Sequence, residues 1–442
     1  MRKLLLIGLA ILLAFPARSQ SASTSYKFDF GNGKLAKGYR QILPDMLYSA
    51  DRGYGFLEVE SLHAANHGNN ALKGDGIYSE KPFFFTVDVP EGNYDIKVIL
   101  GDQEAPSSTT IRVENRRLML GKTDTRAGEQ LERRFSVNVR YPEIAGIDRK
   151  VRLKDRELDY FHWDHQLTIE FNGQSPRVAA IEISPNTKAP TVYLAGNSTV
   201  VDQANEPWAA WGQMVPVFFE PGKVVISNHA ESGETLKGFR AAGRLDNILS
   251  TMKPGDYLFI EFAHNDQKAG GSHVEPFTTY QQVIREYISA VTAKGGIPVL
   301  VTSMHRRRFD ENGEIINTLE EYPEAMRQLA KEENSALIDL NRMSKTLYEA
   351  WGPENSKKAF VHFPAGTFEG QTEDFADNTH FSTYGAYQLA NCIVNGLLQT
   401  DLKLKKYLKK NLPNFQPSHP PKYEDFYWPL SPKTSIIKPD GN

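Results

Sequence analysis

The chain has 442 residues and an ordinary globular composition, with 40% hydrophobic and 24% charged residues. This composition excludes a collagen, a coiled coil and a fully disordered chain, and the length predicts two or three domains. The 51 basic residues against 54 acidic ones give a formal charge of −3, which argues against a nucleic-acid-binding protein. Cys392 is the one cysteine, which excludes an internal disulfide and a cysteine-rich zinc site.

Residues 1–20 have the pattern of a secretory signal peptide. Arg2 and Lys3 precede an apolar run at 4–15, and small residues follow near the expected cleavage site. The run is shorter than the roughly 20 residues that span a bilayer, and the alternative is a buried core helix. We expect export, with the bacterial periplasm as the compartment, because a secreted chain without disulfides fits it well. No later stretch has the length and apolarity of a membrane span.

Residues 21–186 are strand-like. An apolar run at 83–89 is followed by a Pro-Glu-Gly-Asn turn and then by period-two alternation at 94–100. Further runs of strand composition lie at 110–113, 135–139, 167–171 and 180–183. Short strands between turn residues, without a long helical period, predict an all-β sandwich.

Strands and helices alternate over residues 190–410. Strands are predicted at 192–194, 223–226, 257–262, 297–302 and 336–340, and helices at 208–219, 236–252, 280–293, 322–333 and 384–398. This alternation predicts an α/β fold with a parallel sheet covered on both faces, in which ligands bind beyond the carboxyl ends of the strands. Residues 411–442 form a proline-rich tail, which we expect to lie irregularly against the folded chain or to be partly disordered.

Polar residues follow the first two predicted strands. Ser198 lies on a turn beside Gly196, which suits a nucleophile, although a serine that caps a helix explains the pattern as well. The GxSxG elbow is not met, because Val200 stands where glycine is required. Gly233, after the second strand, can bring a backbone N–H close to a ligand, or it belongs to a simple strand-to-helix turn.

Two further polar segments follow later in the chain. Asn265 comes after the third strand, and its primary amide is a neutral donor that suits a developing oxyanion. The neighbouring His264 either supports this loop or packs in the core. Asp377 precedes His380 by three residues on a predicted loop, so its carboxylate can reach the imidazole. The alternative for this pair is an Asp-Asn turn before a capped helix.

Taken together, these segments resemble the sequence blocks of SGNH (GDSL-type) hydrolases, which have a flavodoxin-like α/β/α fold, over residues 191–398. The blocks GNST at 196–199, FAHND at 262–266 and DNTHFS at 377–382 look most like those of rhamnogalacturonan acetylesterases, and residues 306–313 are also similar to that family. The first half resembles, more weakly, the galactose-binding-like sandwiches attached to some agarases and esterases.

The resemblance implies a serine esterase, for which we expect no cofactor and no metal. It makes Ser198 the nucleophile, His380 the general base and then the acid, and Asp377 the residue that orients His380. It assigns the oxyanion hole to the N–H groups of Ser198 and Gly233 and to the side chain of Asn265.

Asn197 departs from the family, which usually has an aspartate at this place. That aspartate is generally a loop-organising residue rather than the triad acid, so we expect activity to be retained. A lowered activity is the alternative, because the local charge differs.

The resemblance implies an acetylated pectic oligosaccharide or polysaccharide as the substrate. Arg306, Arg307 and Arg308 follow the fourth strand, and arginine pairs bidentately with carboxylates such as those of galacturonate. A solvated basic loop or internal salt bridges is an equal alternative. We place His264 with these arginines as a candidate substrate-binding residue. The remaining readings are an esterase for another glycan, such as xylan, and a non-catalytic carbohydrate-binding protein.

Sugar stacking in the sandwich would need exposed aromatic side chains. Tyr54, Phe56 and Trp163 are candidates, although such residues more often belong to a core. His162 and His165 flank this tryptophan, and they either form a metal pair or belong to a strand. The oligomeric state is not indicated by the sequence.

Overall fold

The computed structural model describes residues 24–66, 68 and 70–440. The predicted signal peptide at 1–20 lies outside these residues. A β-rich part runs from Tyr26 to Pro185, and an α/β part begins at Thr191 and is followed by an irregular tail. Within the described residues, no helix is long and apolar enough to cross a membrane.

The β-rich part is a sandwich of two sheets, which confirms the predicted fold. Its strands are β1 (Tyr26–Phe30), β2 (Arg40–Ile42), β3 (Tyr54–Phe56), β4 (His63–Asn66), β5 (Asp75–Tyr78), β6 (Phe83–Asp88), β7 (Gly92–Gly101), β8 (Ser107–Val113), β9 (Arg117–Thr125), β10 (Gln130–Val139), β11 (Gln166–Asn172) and β12 (Arg177–Pro185). One sheet has the order β10-β7-β12-β1-β2, with β5 joined to β12 and β4 to β5; the other has the order β3-β6-β11-β8-β9.

Alternating side chains build the core of this sandwich. In the antiparallel pair of β7 and β10, Ile96 lies opposite Phe135 and Tyr94 lies opposite Val137. All four are buried in one hydrophobic cluster with residues of the second sheet. The period of two therefore places one face of each sheet in the core, as the alternation at 94–100 indicates.

The α/β part has a parallel five-stranded sheet, which confirms the second predicted fold. Its elements are β13 (Thr191–Ala195), α1 (Trp211–Met214), β14 (Val225–Asn228), α2 (Leu236–Ala241), α3 (Arg244–Thr251), β15 (Tyr257–Ile260), α4 (Gln281–Ala293), β16 (Ile297–Val301), α5 (Tyr322–Glu332), β17 (Ala336–Ile338), α6 (Leu340–Asn355), β18 (Phe360–Phe363), β19 (Phe375–Phe381) and α7 (Thr383–Gln399). The sheet order is β14-β13-β15-β16-β17, and β18 and β19 form a separate antiparallel pair.

Both faces of the parallel sheet are buried under helices. On β13, Val192 and Leu194 join the cluster beneath α1, α6 and α7. Tyr193 and Ala195 join the opposite cluster, beneath α2 to α5. A strand covered on both sides reads as a continuous apolar run. The turns after β13, β14 and β15 meet at the carboxyl edge of the sheet, and they carry Ser198, Gly233 and Asn265 respectively.

Some predicted elements differ from the structure. The helix predicted at 236–252 is broken into α2 and α3 at Gly243, whose φ of 81° is left-handed. The helix predicted at 208–219 shrinks to α1 and a 3₁₀ turn at Val215–Phe218. Asp377 and His380, predicted on a loop, lie in β19. The sequence analysis missed α6.

The tail packs against both halves of the molecule. Ser435 donates its N–H to the Glu206 carbonyl at 2.8 Å, and Glu206 donates to the Lys433 carbonyl at 2.9 Å. Farther back, the Trp428 ring lies 4.0 Å from the guanidinium of Arg112, a residue of the sandwich. Of the two alternatives for the tail, the structure has the packed, irregular one.

Candidate active site

Ser198 lies on a tight turn that Asn197 organises. The Asn197 carbonyl accepts the N–H groups of Val200 and Val201, both at 3.0 Å. Its side-chain oxygen accepts the N–H and the hydroxyl of Thr199 at 3.0 and 2.9 Å. A neutral amide thus supplies the acceptor that an aspartate would supply. It also avoids a second buried charge near Glu261, whose carboxylate lies 2.9 Å from the same Thr199 hydroxyl.

The structure brings Ser198, His380 and Asp377 together. His380 Nε2 lies 3.0 Å from Ser198 Oγ, and its Nδ1 lies 2.8 Å from Asp377 Oδ2. A carboxylate can only accept, so Nδ1 carries the proton and Nε2 accepts from the serine hydroxyl. Ser198 and His380 are 2% and 1% exposed, which removes competing water from this relay.

Asp377 is held as an anion. Its Oδ1 accepts the N–H groups of Thr379 and His380 at 2.7 and 2.9 Å. Burial alone would raise the pKa of the Asp377 carboxyl, but the hydrogen bonds and charge of His380 and these N–H groups hold the pKa well below its usual value. Lys438 of the tail adds a cation, with Nζ 3.3 Å from Asp377 Oδ2.

The three candidate oxyanion donors lie on turns at the same sheet edge. Gly233 has a φ of 81°, the left-handed conformation that glycine adopts without a steric cost. Within the described part of the chain, the N–H groups of Ser198 and Gly233 have no hydrogen-bond acceptor. Asn265 Nδ2 donates one proton to the Glu234 carbonyl at 3.0 Å, which ties the amide to the Gly233 loop and leaves its second proton for another acceptor.

A serine hydroxyl, an imidazole and a carboxylate in this relay can transfer an acyl group. The imidazole can take the serine proton as the hydroxyl attacks a carbonyl carbon, and the unpaired N–H groups can bind the resulting oxyanion. Fold and site together define the class of serine-type hydrolases on a parallel α/β sheet.

His264 is buried to the same degree as Ser198 and His380. Its side chain is 2% exposed, and burial, followed by the nearby Arg306, lowers the pKa of its imidazole well below the usual value. This burial favours loop support, and substrate binding by His264 stays a prediction.

The three arginines have different environments. Arg306 donates to the carbonyls of His264 and Thr318, both at 3.3 Å. Arg307 donates to Ser356 Oγ at 2.9 Å and to Asn378 Oδ1 at 2.8 Å. Both side chains thus bind other segments of the protein, which favours internal contacts over substrate binding for Arg306 and Arg307. Arg308 is exposed and stays a candidate for substrate contact.

The proposed sugar-stacking aromatics are mostly buried. Phe56 is fully buried in the sandwich core, and Trp163 is 5% exposed with Arg140 4.5 Å from its ring. Tyr54 is half-buried, and its ring is covered by Arg40 and Arg52. The interpretation of Phe56 and Trp163 as sugar platforms is therefore wrong.

His162 lies near two carboxylates rather than pairing with His165. Its ring nitrogen and the carboxylates of Glu157 and Glu231 come within 4.8 Å of one another. Arg244 already pairs with Glu157 at 2.5 Å, and Arg156 pairs with Glu231 at 2.7 Å. Because these guanidinium groups neutralise both carboxylates and would repel a cation, the donor set does not fit a metal ion.

A cavity of about 300 Å³ meets the three catalytic candidates only through its lining residues, because none of the three lines it. Three of its lining residues each touch one of them. Gln203 Nε2 donates to the Ser198 carbonyl at 3.0 Å, and the Trp208 ring meets the His380 ring edge-on at 5.9 Å. Lys438 contacts Asp377, as described above. Sequence reasoning missed all three, because Gln203 and Trp208 belong to no motif and Lys438 depends on the path of the tail.

Comparison with known proteins places this site in a family. Residues 194–386 match the GDSL-like lipase/acylhydrolase family, and residues 26–131 match the galactose-binding-like domain of β-agarases and YxiM-type esterases. Rhamnogalacturonan acetylesterase RhgT of Bacillus subtilis is 45% identical over 219 residues, which is 49% of this chain and 93% of that protein.

A second relative spans both halves. The uncharacterized esterase YxiM of Bacillus subtilis is 28% identical over 340 residues, or 75% of this chain and 83% of that protein. Its crystal structure, at 26% identity, covers 86% of this chain and 99% of that chain with a TM-score of 0.45.

The chain belongs to the GDSL-like lipase/acylhydrolase family. It is a carboxylic ester hydrolase of the carbohydrate acetylesterase type, with a galactose-binding-like domain ahead of the hydrolase domain.

Proposed function

We propose that the protein is an exported acetylesterase that removes acetyl groups from rhamnogalacturonan, a pectic polysaccharide. The observation that carries this proposal is the relay from Ser198 Oγ to His380 Nε2 at 3.0 Å and from His380 Nδ1 to Asp377 at 2.8 Å. The name and the 45% identity of the first relative support the substrate. The signal-peptide pattern at 1–20 supports export, with the periplasm as the compartment.

The reaction is a double displacement. Ser198 Oγ attacks the acetyl carbonyl carbon while His380 Nε2 takes the hydroxyl proton, and the oxyanion accepts hydrogen bonds from the N–H groups of Ser198 and Gly233 and from Asn265. His380 then gives the proton to the departing sugar oxygen, which leaves an acetyl group on Ser198. Water, deprotonated by His380, attacks this acetyl-enzyme, and His380 returns the proton to Ser198 Oγ as acetate leaves. Asp377 keeps Nδ1 protonated and stabilises the imidazolium in both halves.

The cavity beside the relay supports a sugar as the alcohol part of the substrate. Its wall includes Tyr160 and Asn205, both half-buried, whose hydroxyl and amide are polar groups that a sugar could bind. A concave surface with a few convergent polar groups suits the hydroxyl groups of a pyranose ring. Lys438, at the same wall and 48% exposed, offers a cation for an acidic sugar. Arg308 is a second, exposed cation. Its neighbour Arg307 donates its backbone N–H to the carbonyl of Asn378, which is next to Asp377 in the chain.

Acetate release from a panel of polysaccharides tests the substrate. The panel contains acetylated rhamnogalacturonan, acetylated homogalacturonan and acetylated xylan, each at an equal acetyl concentration, with a neutral aryl acetate as a measure of intrinsic esterase activity. We expect the highest kcat/KM on rhamnogalacturonan. Faster release from xylan would contradict the pectic assignment and support the xylan alternative. Glycan binding without acetate release from any panel member would support the non-catalytic reading.

A further inference from the structure

The hairpin between β8 and β9 carries two buried arginines into the hydrolase domain. Glu114 and Arg116 have φ values of 54° and 58°, a left-handed conformation that non-glycine residues seldom adopt. The turn is held by the sandwich itself, because Glu114 Oε1 accepts the Thr168 N–H at 3.1 Å and Asn115 Oδ1 accepts the Phe161 N–H at 3.0 Å. Arg116 and Arg117 are 1% and 0% exposed.

Both guanidinium groups bind residues 202–208, which we call the 202–208 loop. Arg117 donates through Nε to Asp202 Oδ2 at 2.9 Å, and its Nη2 lies at ion-pair distance, 2.9 Å, from the same oxygen. Arg116 Nη1 donates to the Trp208 carbonyl at 2.8 Å and to the Gln203 carbonyl at 3.2 Å, and its Nη2 pairs with Glu206 at 2.6 Å. The loop therefore takes its shape from the sandwich, since both of its carboxylates are paired with sandwich arginines.

The 202–208 loop in turn touches the catalytic groups. Gln203 Nε2 donates to the Ser198 carbonyl at 3.0 Å and lies 3.3 Å from Ser232 Oγ, beside Gly233. At the other end, Trp208 packs edge-on against the His380 ring, and the next residue, Ala209, donates its N–H to the Phe381 carbonyl at 2.9 Å. One short loop thus sets the positions of the nucleophile turn and of the strand that carries the base.

The sandwich also binds the segment just before Gly233. Arg156 donates to Glu231 Oε1 through Nε and Nη2 at 2.9 and 2.7 Å, and its Nη2 donates to the Ser232 carbonyl at 2.8 Å. Lys154 donates to the same carbonyl. The candidate stacking residues Phe56 and Trp163 are buried, so these contacts, rather than an aromatic platform, connect the sandwich with the reaction.

We propose that Arg116 and Arg117 are positioning residues of the esterase, through which the sandwich fixes the geometry of Ser198 and His380. This inference rests on the catalytic roles proposed for those two residues, but on no particular sugar. The sandwich is then a part of the catalytic unit rather than an accessory module that only binds glycan. Small displacements of reacting groups can cost about 100-fold in rate, so a loosened loop has a measurable effect.

The test uses Arg116→Met and Arg117→Met in the full chain, with Arg177→Met as the matched control. Arg177 is also a buried sandwich arginine, paired with Asp102 at 2.8 Å, and it lies within the sandwich. The readouts are the melting temperature, kcat and KM on a neutral aryl acetate, and the rate at which an organophosphate labels Ser198. The small substrate removes glycan binding from the comparison.

We expect kcat and the labelling rate to fall together by about 10–100-fold in Arg116→Met and Arg117→Met, with KM within about twofold. Arg177→Met should keep kcat even where it lowers the melting temperature. Equal losses in all three variants, or unchanged kcat in folded Arg116→Met and Arg117→Met, would overturn the proposal. The activity of wild type on the aryl acetate tests the proposed function separately. The positioning role is tested only by kcat and the labelling rate of each variant, both divided by the wild-type values.

A second variant covers the case in which the arginine variants do not fold. Gln203→Met keeps the volume of the side chain and both ion pairs, and it removes only the hydrogen bonds of Gln203 Nε2 to the Ser198 carbonyl and to Ser232 Oγ. We expect a lowered kcat and labelling rate at a nearly unchanged melting temperature. Wild-type values of both in Gln203→Met would show that the loop does not position the nucleophile.

Discussion

At the scale of single residues, the chemistry of the site depends on which ring nitrogen of His380 carries the proton. Asp377 accepts from Nδ1 and, through its other oxygen, from two backbone N–H groups, so the carboxylate cannot turn away from the ring. The spacing of three residues predicted this contact, because it is local in the chain. The cation of Lys438 at the same carboxylate was not predictable, since α7 and most of the irregular tail separate the two in the chain.

Replacing Asp377 by asparagine should leave the fold intact and lower kcat by about 10²–10⁴-fold. The amide can donate to Nδ1, which then loses its proton, so that Nε2 becomes protonated and no longer accepts from Ser198. The measurement is kcat on an aryl acetate together with the melting temperature. Asp374→Asn is the control, because Asp374 is an exposed carboxylate on the segment just before β19. A kcat near the wild-type value in Asp377→Asn would remove Asp377 from the relay.

At the scale of elements, the strand ends were predictable and the helix boundaries were not. The apolar runs of β13, β15 and β16 are continuous because both faces are buried, and this pattern marks a parallel strand directly. Gly243 breaks the helix predicted at 236–252 because its φ is left-handed. A glycine permits this conformation but does not require it, so the break could not be predicted from the sequence. The missed helix α6 has a signal that would reveal it: Leu340, Leu347, Tyr348 and Trp351 recur at helical spacing and are buried.

Gly233→Ala tests the loop that follows β14. An alanine in this left-handed conformation costs about 1–2 kcal/mol, and its Cβ would lie 2.9 Å from Asp440 Cβ and 3.1 Å from Lys154 Nζ. We expect the loop to shift and kcat to fall by about tenfold or more, since losing one oxyanion donor typically costs 10²–10³-fold. Turnover and free energy of unfolding are measured together.

Gly255→Ala is the matched control for this prediction. Gly255 has a φ of 89° and no atom within 4 Å of an added Cβ. The free energy of unfolding of Gly255→Ala should therefore fall by a similar amount, because the backbone is strained in the same way, and its turnover should stay unchanged. Equal turnover in both variants would argue against an oxyanion role for the Gly233 N–H.

Asp266, which directly follows Asn265, makes the stability of this region depend on pH. Burial raises the pKa of its carboxyl to about 7, against the lowering effect of the hydrogen bond from the Leu236 N–H. Because the folded pKa lies above the unfolded one, the stabilising contribution is complete below about pH 4 and is lost as the pH rises through 7. Asp266→Asn should therefore gain about 2 kcal/mol relative to wild type between pH 5 and pH 8. Unfolding curves of both proteins at the two pH values measure this difference, and parallel pH dependence would show that Asp266 does not titrate in this range.

At the scale of the whole molecule, three distant segments build one site. The sandwich supplies Arg116, Arg117 and Arg156, the α/β part supplies the relay, and the tail supplies Lys438. Composition and periodicity were sufficient to predict the two folds, because each of these follows from a local pattern. The roles of the relay residues came from the resemblance to SGNH hydrolases. The hydrogen bonds of Arg156 with Glu231 and of Asn247 with the Tyr141 carbonyl join residues 75 and 106 positions apart, and no local pattern indicates such pairings. Buried arginines such as Arg117 therefore looked like ordinary strand residues in the sequence.

The acetyl transfer that we propose for Ser198 can be measured as the initial rate of acetate release from acetylated rhamnogalacturonan, by wild type and by Ser198→Ala at equal folded concentration. We expect rapid release by wild type and a rate at least about 10³-fold lower for the variant, with an unchanged melting temperature. Acetate release by Ser198→Ala at a rate near that of wild type would show that Ser198 is not the nucleophile.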